Sequence, residues 1–292
     1  MNASSNAGYD HVTPSRRWLV EKDFETRKNA ISENTWINYP AADKVLAHIK
    51  YLTELPRSLE SLCLVVHSDP GMGKSALYNK IMQQYGISSA HINALAGMRI
   101  DPDHIRSHKN FSDGLVQSLT MGNFTSSMIP KTRVLDAVTA RNLRGIAFDE
   151  FNDLLAAGAR DQLSNMIRLK YFSNPPFSLV IVILGTHECT EAIASDDQFK
   201  RRFESIQLPA WRDEQILRAF VGAYISWFPL RNPSTVDKPS AIKYLIKQSN
   251  GILDNIVKQL KRAAVWAIIE GVESIDLEIL KKGTELPILD GR

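Results

Sequence analysis

The sequence predicts an α/β fold: a parallel sheet covered by helices, then a smaller all-helical domain. Three observations carry this. Short runs of almost wholly apolar residues recur, notably Leu62–Val66, Ile146–Phe148 and Leu179–Leu184, as strands buried on both faces require. Stretches with apolar residues at helical spacing separate them, and this alternation is the signature of a parallel sheet. After Pro209 the strand-like runs stop, and four helical stretches follow.

Taken in order, the first 35 residues are polar and turn-rich, with basic pairs at Arg16-Arg17 and Arg27-Lys28. They read as a mobile arm with a short helix near Glu21–Ile31. Pro40 opens a helix through Ala41, Val45, Leu46, Ile49 and Leu52, ending near Pro56. The strand 62–66 follows, then the loop SDPGMGKS (Ser68–Ser75), then a helix carrying Ala76, Leu77, Lys80 and Ile81. His91–Leu95 reads as a second strand, and Asp101-Pro102 starts a helix bearing Ile105, Phe111, Leu115 and Leu119. A loop at 122–131 and a helix at 132–142 lead to the strand Arg144–Glu150. A helix at 159–171 presents Leu163, Met166, Ile167 and Tyr171 as its apolar face. Ser178–Leu184 and Ser205–Leu208 complete the sheet. The helices expected beyond it are Asp213–Phe228, Pro239–Gln248, Ile252–Glu270 and Ser274–Lys282. The domains are thus 1–35, 36–209 and 210–292.

Composition narrows the classes. The 292 residues are 44% hydrophobic and 23% charged, enough for one sizeable core and a smaller one. Two cysteines, Cys63 and Cys189, allow no disulfide framework. The start lacks an apolar leader and no run is long enough to span a bilayer, so a cytoplasmic protein is expected. A net charge of +3 permits a polyanionic partner without requiring one.

The chemistry is concentrated at strand ends. A strand, a glycine loop and Lys-Ser opening a helix form a phosphate cradle: glycines let backbone N–H groups converge on phosphate oxygens, and the helix N-terminus adds partial positive charge. The nucleotide-binding stretch is Asp69, Pro70, Gly71, Met72, Gly73, Lys74, Ser75 and Ala76. Lys74 would bridge the β- and γ-phosphates, and the Ser75 hydroxyl would ligate Mg²⁺. One departure is Ser68, which stands where the pattern has its first glycine. Asp149, ending a buried strand, would hold Mg²⁺ through its water shell, and Glu150 would polarise the attacking water. Thr186, just past the strand 178–184, is the candidate for sensing the γ-phosphate or positioning the water. His104 and His108 stand four apart but lack a third ligand, so no metal site is read there. Trp36, Tyr39 and Pro40 would either flank adenine or simply pack.

This order of phosphate loop, Asp-Glu strand, polar strand end, arginine-bearing segment and helical lid resembles an AAA+ P-loop ATPase. More narrowly, INYPAADKVLAHI, IAFDEFNDLLAAGARDQLSNMIRLKYFSN, VILGTHECTEAIASDDQFKRRFESIQLPAW, WFPLRNPS and SNGILDNIVKQLKRAAVWAIIEG resemble the TniB/TnsC family of transposition regulators, from about Asn34 to Glu278. The resemblance implies an ATPase using ATP and Mg²⁺ that binds double-stranded target DNA as a ring or helical filament. It also implies recruitment and activation of a DDE-type transposase, with a target-selection protein as a further partner. An Arg-Phe motif of the class falls on Arg202-Phe203, making Arg202, ahead of Arg201, the arginine reaching a neighbour's nucleotide. Arg99, Lys109, Lys131 and Arg133 lie in the segments that line the central opening of such rings, and so are the candidates for DNA. The lid glycine matches Gly251, but Ile252–Asn255 contain no arginine, which implies slow turnover. Two other functions fit the same residues: an ATP-gated DNA scaffold with negligible hydrolysis, and a loader or remodelling ATPase acting on a protein without a DNA role.

Overall fold

The computed structural model describes residues 8–57, 61–87, 93–122 and 124–287. They divide into two compact units: Ala41–Pro209, and the residues up to Pro40 together with those from Ala210 onward. In chain order the helices are α1 (Phe24–Ser32), α2 (Pro40–Glu54), α3 (Lys74–Tyr85), α4 (Pro102–Ile105), α5 (His108–Thr120), α6 (Lys131–Ala140), α7 (Phe151–Leu154), α8 (Ala159–Ser173), α9 (Glu188–Ala194), α10 (Asp197–Lys200), α11 (Glu214–Ile225), α12 (Pro239–Ser249), α13 (Leu253–Ile269) and α14 (Leu277–Lys282). The strands are β1 (Cys63–His67), β2 (Ala94–Arg99), β3 (Leu143–Asp149), β4 (Val180–Gly185) and β5 (Phe203–Gln207).

The five strands form one parallel sheet in the order β2-β3-β4-β1-β5. Every residue of β1 and of β4 is buried, which is why both are apolar in sequence but for His67 at the end of β1. The register sets Val66 of β1 opposite Leu184 of β4 and Ile146 of β3 opposite Ile181. Phe111, Phe148, Phe151, Phe172 and Phe177 fill one continuous core with the strands. Each such side chain contributes roughly 1.5–3 kcal/mol by leaving water.

Three expectations change. The second strand is Ala94–Arg99, overlapping the expected one only at its end; His91 and Ile92 lie outside the described residues. It is an edge strand, so its apolar pattern is interrupted by half-buried Gly97 and exposed Arg99. At Gly97 a side chain would meet the Tyr78 hydroxyl, since an added Cβ would lie 2.6 Å from it. The helix expected from Asp101 is two helices. Asp101 and His104 cap α4 reciprocally, and Ser107 then caps α5 anew through the N–H of Asn110. On α8, Leu163 and Ile167 are 63% and 57% exposed, while Leu169, Phe172 and a polar residue, Asn165, face inward. Asn165 is buried because its Oδ1 pairs with the His108 ring at 2.9 Å, an arrangement that apolar periodicity does not reveal.

The second unit contains α1 and α11–α14. Residues 8–35, read from sequence as an arm with one short helix, are held here by Arg27. Its buried guanidinium donates to the Pro229 carbonyl at 3.0 and 2.7 Å and to both carboxylate oxygens of Glu273. A buried ion pair of this kind is expensive to break from one side. Tyr39 lies 4.9 Å from the Trp211 ring and 6.0 Å from Trp36, so these aromatics pack on one another within this unit.

Candidate functional site

At the C-terminal edge of the sheet, β1 delivers the chain into the loop 68–73 and α3 carries it away. Gly71 and Gly73 have φ of 76° and 88°, left-handed values that residues with a Cβ rarely adopt, and Gly73 is the N-cap of α3. Ser68 has no such backbone demand, which explains how serine replaces glycine there. Its hydroxyl has found a use: it donates to Asp69 O (3.0 Å) and accepts from Lys74 Nζ (3.2 Å). Lys74 is 8% exposed and also donates to the carbonyls of Ser68 and Asp69, each at 3.0 Å. Burial lowers its pKa, opposed by the charges of Glu150, Asp149 and Asp69.

β3 brings the carboxylates. Asp149 is 1% exposed, and Ser75 Oγ lies 3.4 Å from its Oδ1 and 3.3 Å from Glu150 Oε1. Lys74, Ser75, Asp149 and Glu150, separated by 75 positions of sequence, therefore converge. Glu150 itself sits at φ 55°, ψ 38° as the N-cap of α7. A non-glycine residue held in the left-handed region costs on the order of 1–3 kcal/mol and persists only where surroundings impose it. Here it turns the chain sharply between the end of β3 and α7.

Thr186 follows Gly185, whose carbonyl accepts the N–H of Ser68 at 3.2 Å, so β4 ends against the loop. The Thr186 hydroxyl donates to Glu188 Oε2 at 2.7 Å. Gly185 is required by crowding: a Cβ there would lie 2.4 Å from Cys189 Sγ. Burial pushes the Cys189 thiol up to about 12, so it is an inert filler beside the loop.

Two groups at this edge were missed by sequence reasoning. Arg99, expected at DNA, donates from Nε to Asp149 Oδ2 at 3.0 Å and from Nη2 to Asn79 Oδ1 at 3.2 Å, with its guanidinium over the Tyr78 ring. His67, the last residue of β1, lies 5.2 Å from the His187 ring. Burial lowers the His67 pKa, helped by the charges of His187 and Lys74. The only sequence signal was position: His67 ends one central strand and His187 stands two residues past the end of its neighbour.

The structure sets Arg202 apart from these residues. Its carbonyl accepts the N–H of Cys63, the first residue of β1, so it lies at the opposite edge of the sheet. Its guanidinium is buried and donates to Ser173 Oγ (2.9 Å) and Asn174 Oδ1 (2.7 Å), whereas Arg201 is exposed. The other expected DNA contacts also lie away from the loop. Lys109 pairs with Asp113 at 2.8 Å, Lys131 stands over the Tyr171 ring, and Arg133 is exposed on α6.

No group of three or more metal-binding side chains occurs among the described residues. The donors present suit Mg²⁺ held jointly with a nucleotide: one hydroxyl and one buried carboxylate, leaving the remaining positions to phosphate oxygens and water. No described helix is long and apolar enough to cross a membrane.

A family model described as bacterial TniB protein matches residues 27–213. The chain belongs to the TniB family. No curated protein matches this TniB-family chain. Among solved structures it is similar to the Aeropyrum pernix ORC2 protein in ADPNP–ADP complexes, with TM-score 0.61 and 14% identity over 87% of this chain and 70% of that one. Cdc6p from Pyrobaculum aerophilum aligns with TM-score 0.59 and 17% identity, covering 88% and 70%. The Aeropyrum pernix ORC1 protein in complex with DNA aligns with TM-score 0.54 and 13% identity, covering 92% and 68%. At such identities the likeness concerns the fold, which is that of the AAA+ P-loop ATPases.

Proposed function

We propose that this TniB-family protein is a cytoplasmic ATPase that assembles on double-stranded target DNA in its ATP-bound state and there recruits and activates a DDE-type transposase. The observation that carries the ATPase part is the meeting of Lys74, Ser75, Asp149 and Glu150 at one edge of the sheet. Family membership supports the transposition context, and the DNA complex recorded for the similar ORC1 protein supports the DNA role.

The residues divide the work by chemistry. Lys74, now bonded to loop carbonyls, is the cation that would exchange them for β- and γ-phosphate oxygens. Ser75 and Asp149 would hold Mg²⁺, which neutralises charge on the phosphates when bound. Glu150 orients and polarises the attacking water as general base. Thr186 exchanges its bond to Glu188 for one to the γ-phosphate or the water. Arg201, exposed beside its buried neighbour, takes the part of the arginine presented to the next subunit's nucleotide, where it would stabilise transition-state charge.

A second reading is favoured by the absence of arginine at Ile252–Asn255: a nucleotide-gated scaffold that hydrolyses negligibly. Steady-state ATP turnover with and without duplex DNA separates the two. The proposed function gives turnover that DNA raises and that Glu150→Gln lowers by roughly 10²-fold or more. The scaffold gives background turnover in all samples.

A further inference from the structure

Arg168 on α8 is anomalous. Its Nε is buried without a hydrogen-bond partner, and no ion pair among the described residues involves it. Its guanidinium instead stacks against Tyr171 and Phe172, 5.5 and 5.3 Å from the ring centroids. Lys131 Nζ stands 4.9 Å from the same Tyr171 ring, so two cations converge on one aromatic side chain. Arg168 is half-buried with its Nε unpaired, Lys131 is exposed beside it, and the five donors of a guanidinium, set in a planar fork, need acceptors such as an oxyanion supplies.

The surroundings match that need. Ser126, Lys131, Arg168 and Tyr171 form the polar side of a cavity of about 120 Å³, large enough for a phosphate group, whose other five lining side chains are apolar. Lys131 also opens α6, whose N-cap, Pro130, offers no side chain to the first turn, so the helix adds its own partial positive charge there. The carboxylate whose charge reaches Arg168 is Asp113, and it is already engaged: Oδ1 by the N–H and hydroxyl of Ser126 at 2.7 and 2.6 Å, and Oδ2 by Lys109. Of the cations expected at DNA, Lys131 lines the cavity, Lys109 is joined to it through Asp113 and Ser126, and Arg133 follows two residues along α6.

We infer that this cavity is a second phosphate site, distinct from the loop at Lys74, in which Arg168 and Lys131 hold a backbone phosphate of the bound duplex. This rests on the DNA-binding reading above. The same chemistry would accept free phosphate, and the test distinguishes the sources.

The test compares wild type with Arg168→Gln, which keeps the start of the stem and a polar end but loses charge and fork, and with Arg168→Lys, which keeps charge alone; retained ATP affinity and melting temperature show that each folds. ATP-dependent affinity for duplex DNA is measured across a salt series. Separately, the melting temperature is followed against inorganic phosphate with ADP filling the loop. The expected result is a roughly 3- to 10-fold weaker affinity for Arg168→Gln on every duplex sequence, a salt slope smaller by about 0.9, and an intermediate Arg168→Lys. Unchanged affinity and slope, with phosphate protecting both proteins equally, overturn the site while leaving the DNA reading intact. Unchanged DNA binding with phosphate protection lost in Arg168→Gln overturns the DNA source and assigns the cavity to free phosphate. If wild type binds no duplex at all, the DNA reading fails with its half of the proposal, and Arg168-dependent phosphate protection alone upholds the cavity as an oxyanion site.

Discussion

The guanidinium of Arg99 is bonded to the buried carboxylate of Asp149, Nε to Oδ2 at 3.0 Å, and it uses the oxygen other than the one nearest Ser75. One oxygen is thus fixed by a cation from β2, and the other is left facing the hydroxyl that would share Mg²⁺. Partners of this kind orient ligating carboxylates, and their loss typically costs 10- to 100-fold in metal affinity or activity.

Arg99→Ala should therefore raise the Mg²⁺ concentration needed for half-maximal nucleotide binding by about tenfold or more. Titrating Mg²⁺ against binding of a fluorescent ATP analogue reads this directly. Arg99→Lys should recover only part of the effect, because a single ammonium cannot reach both Asp149 and Asn79 as the fork does. An unchanged Mg²⁺ requirement in Arg99→Ala would return Arg99 to the set of surface cations.

Arg201 and Arg202 should separate cleanly. Arg202→Ala removes a buried donor from Ser173 and Asn174 and should cost about 1–3 kcal/mol of stability, seen as a lower melting temperature. Arg201→Ala should leave melting and ATP affinity near wild type but impair assembly and turnover. Normal DNA-stimulated turnover in Arg201→Ala would remove it from the trans-acting role.

His67 gives the expected pH dependence. Its pKa lies below the ordinary histidine value of 6.5 because of burial first, then His187 and Lys74. Between the lowered folded value and 6.5, the unfolded chain binds a proton that the folded chain does not. Stability is therefore flat above about 6.5 and falls as pH drops through that window. Denaturant unfolding of wild type and His67→Phe across pH 5–8 should show a smaller decline in the variant; parallel declines would assign the effect to other groups.

Much of this site was legible because its parts are contiguous. The loop 68–75 and the pair Asp149-Glu150 follow buried strands that announce themselves as apolar runs, and a parallel sheet brings such strand ends to one edge. What stayed hidden depends on pairs far apart in sequence. Arg99 meets Asp149 across 50 residues, and Arg168 meets Lys131 through an aromatic ring. Charge alone marks such arginines as surface residues. Likewise Leu163 and Ile167 look like core, and the inward Asn165 looks like surface, because helical spacing shows an apolar stripe but not which side of it meets the sheet. Which of the adjacent Arg201 and Arg202 is buried was hidden too: neighbouring residues of one type differ only in where the backbone points them.

In the proposed function, nucleotide at Lys74 governs assembly on DNA. A chain of net charge +3 has little attraction for a duplex as a single subunit, whereas several subunits on one duplex multiply the phosphate contacts. The direct measurement is fluorescence anisotropy of a labelled duplex titrated with wild type, Lys74→Ala and Glu150→Gln, each with Mg²⁺ and ATP, ADP or no nucleotide. The expected result is steep, cooperative, salt-sensitive binding by wild type with ATP only, binding at least as tight for Glu150→Gln with ATP, and none for Lys74→Ala. Binding by wild type that is equally tight without nucleotide, or that survives in Lys74→Ala, would contradict it.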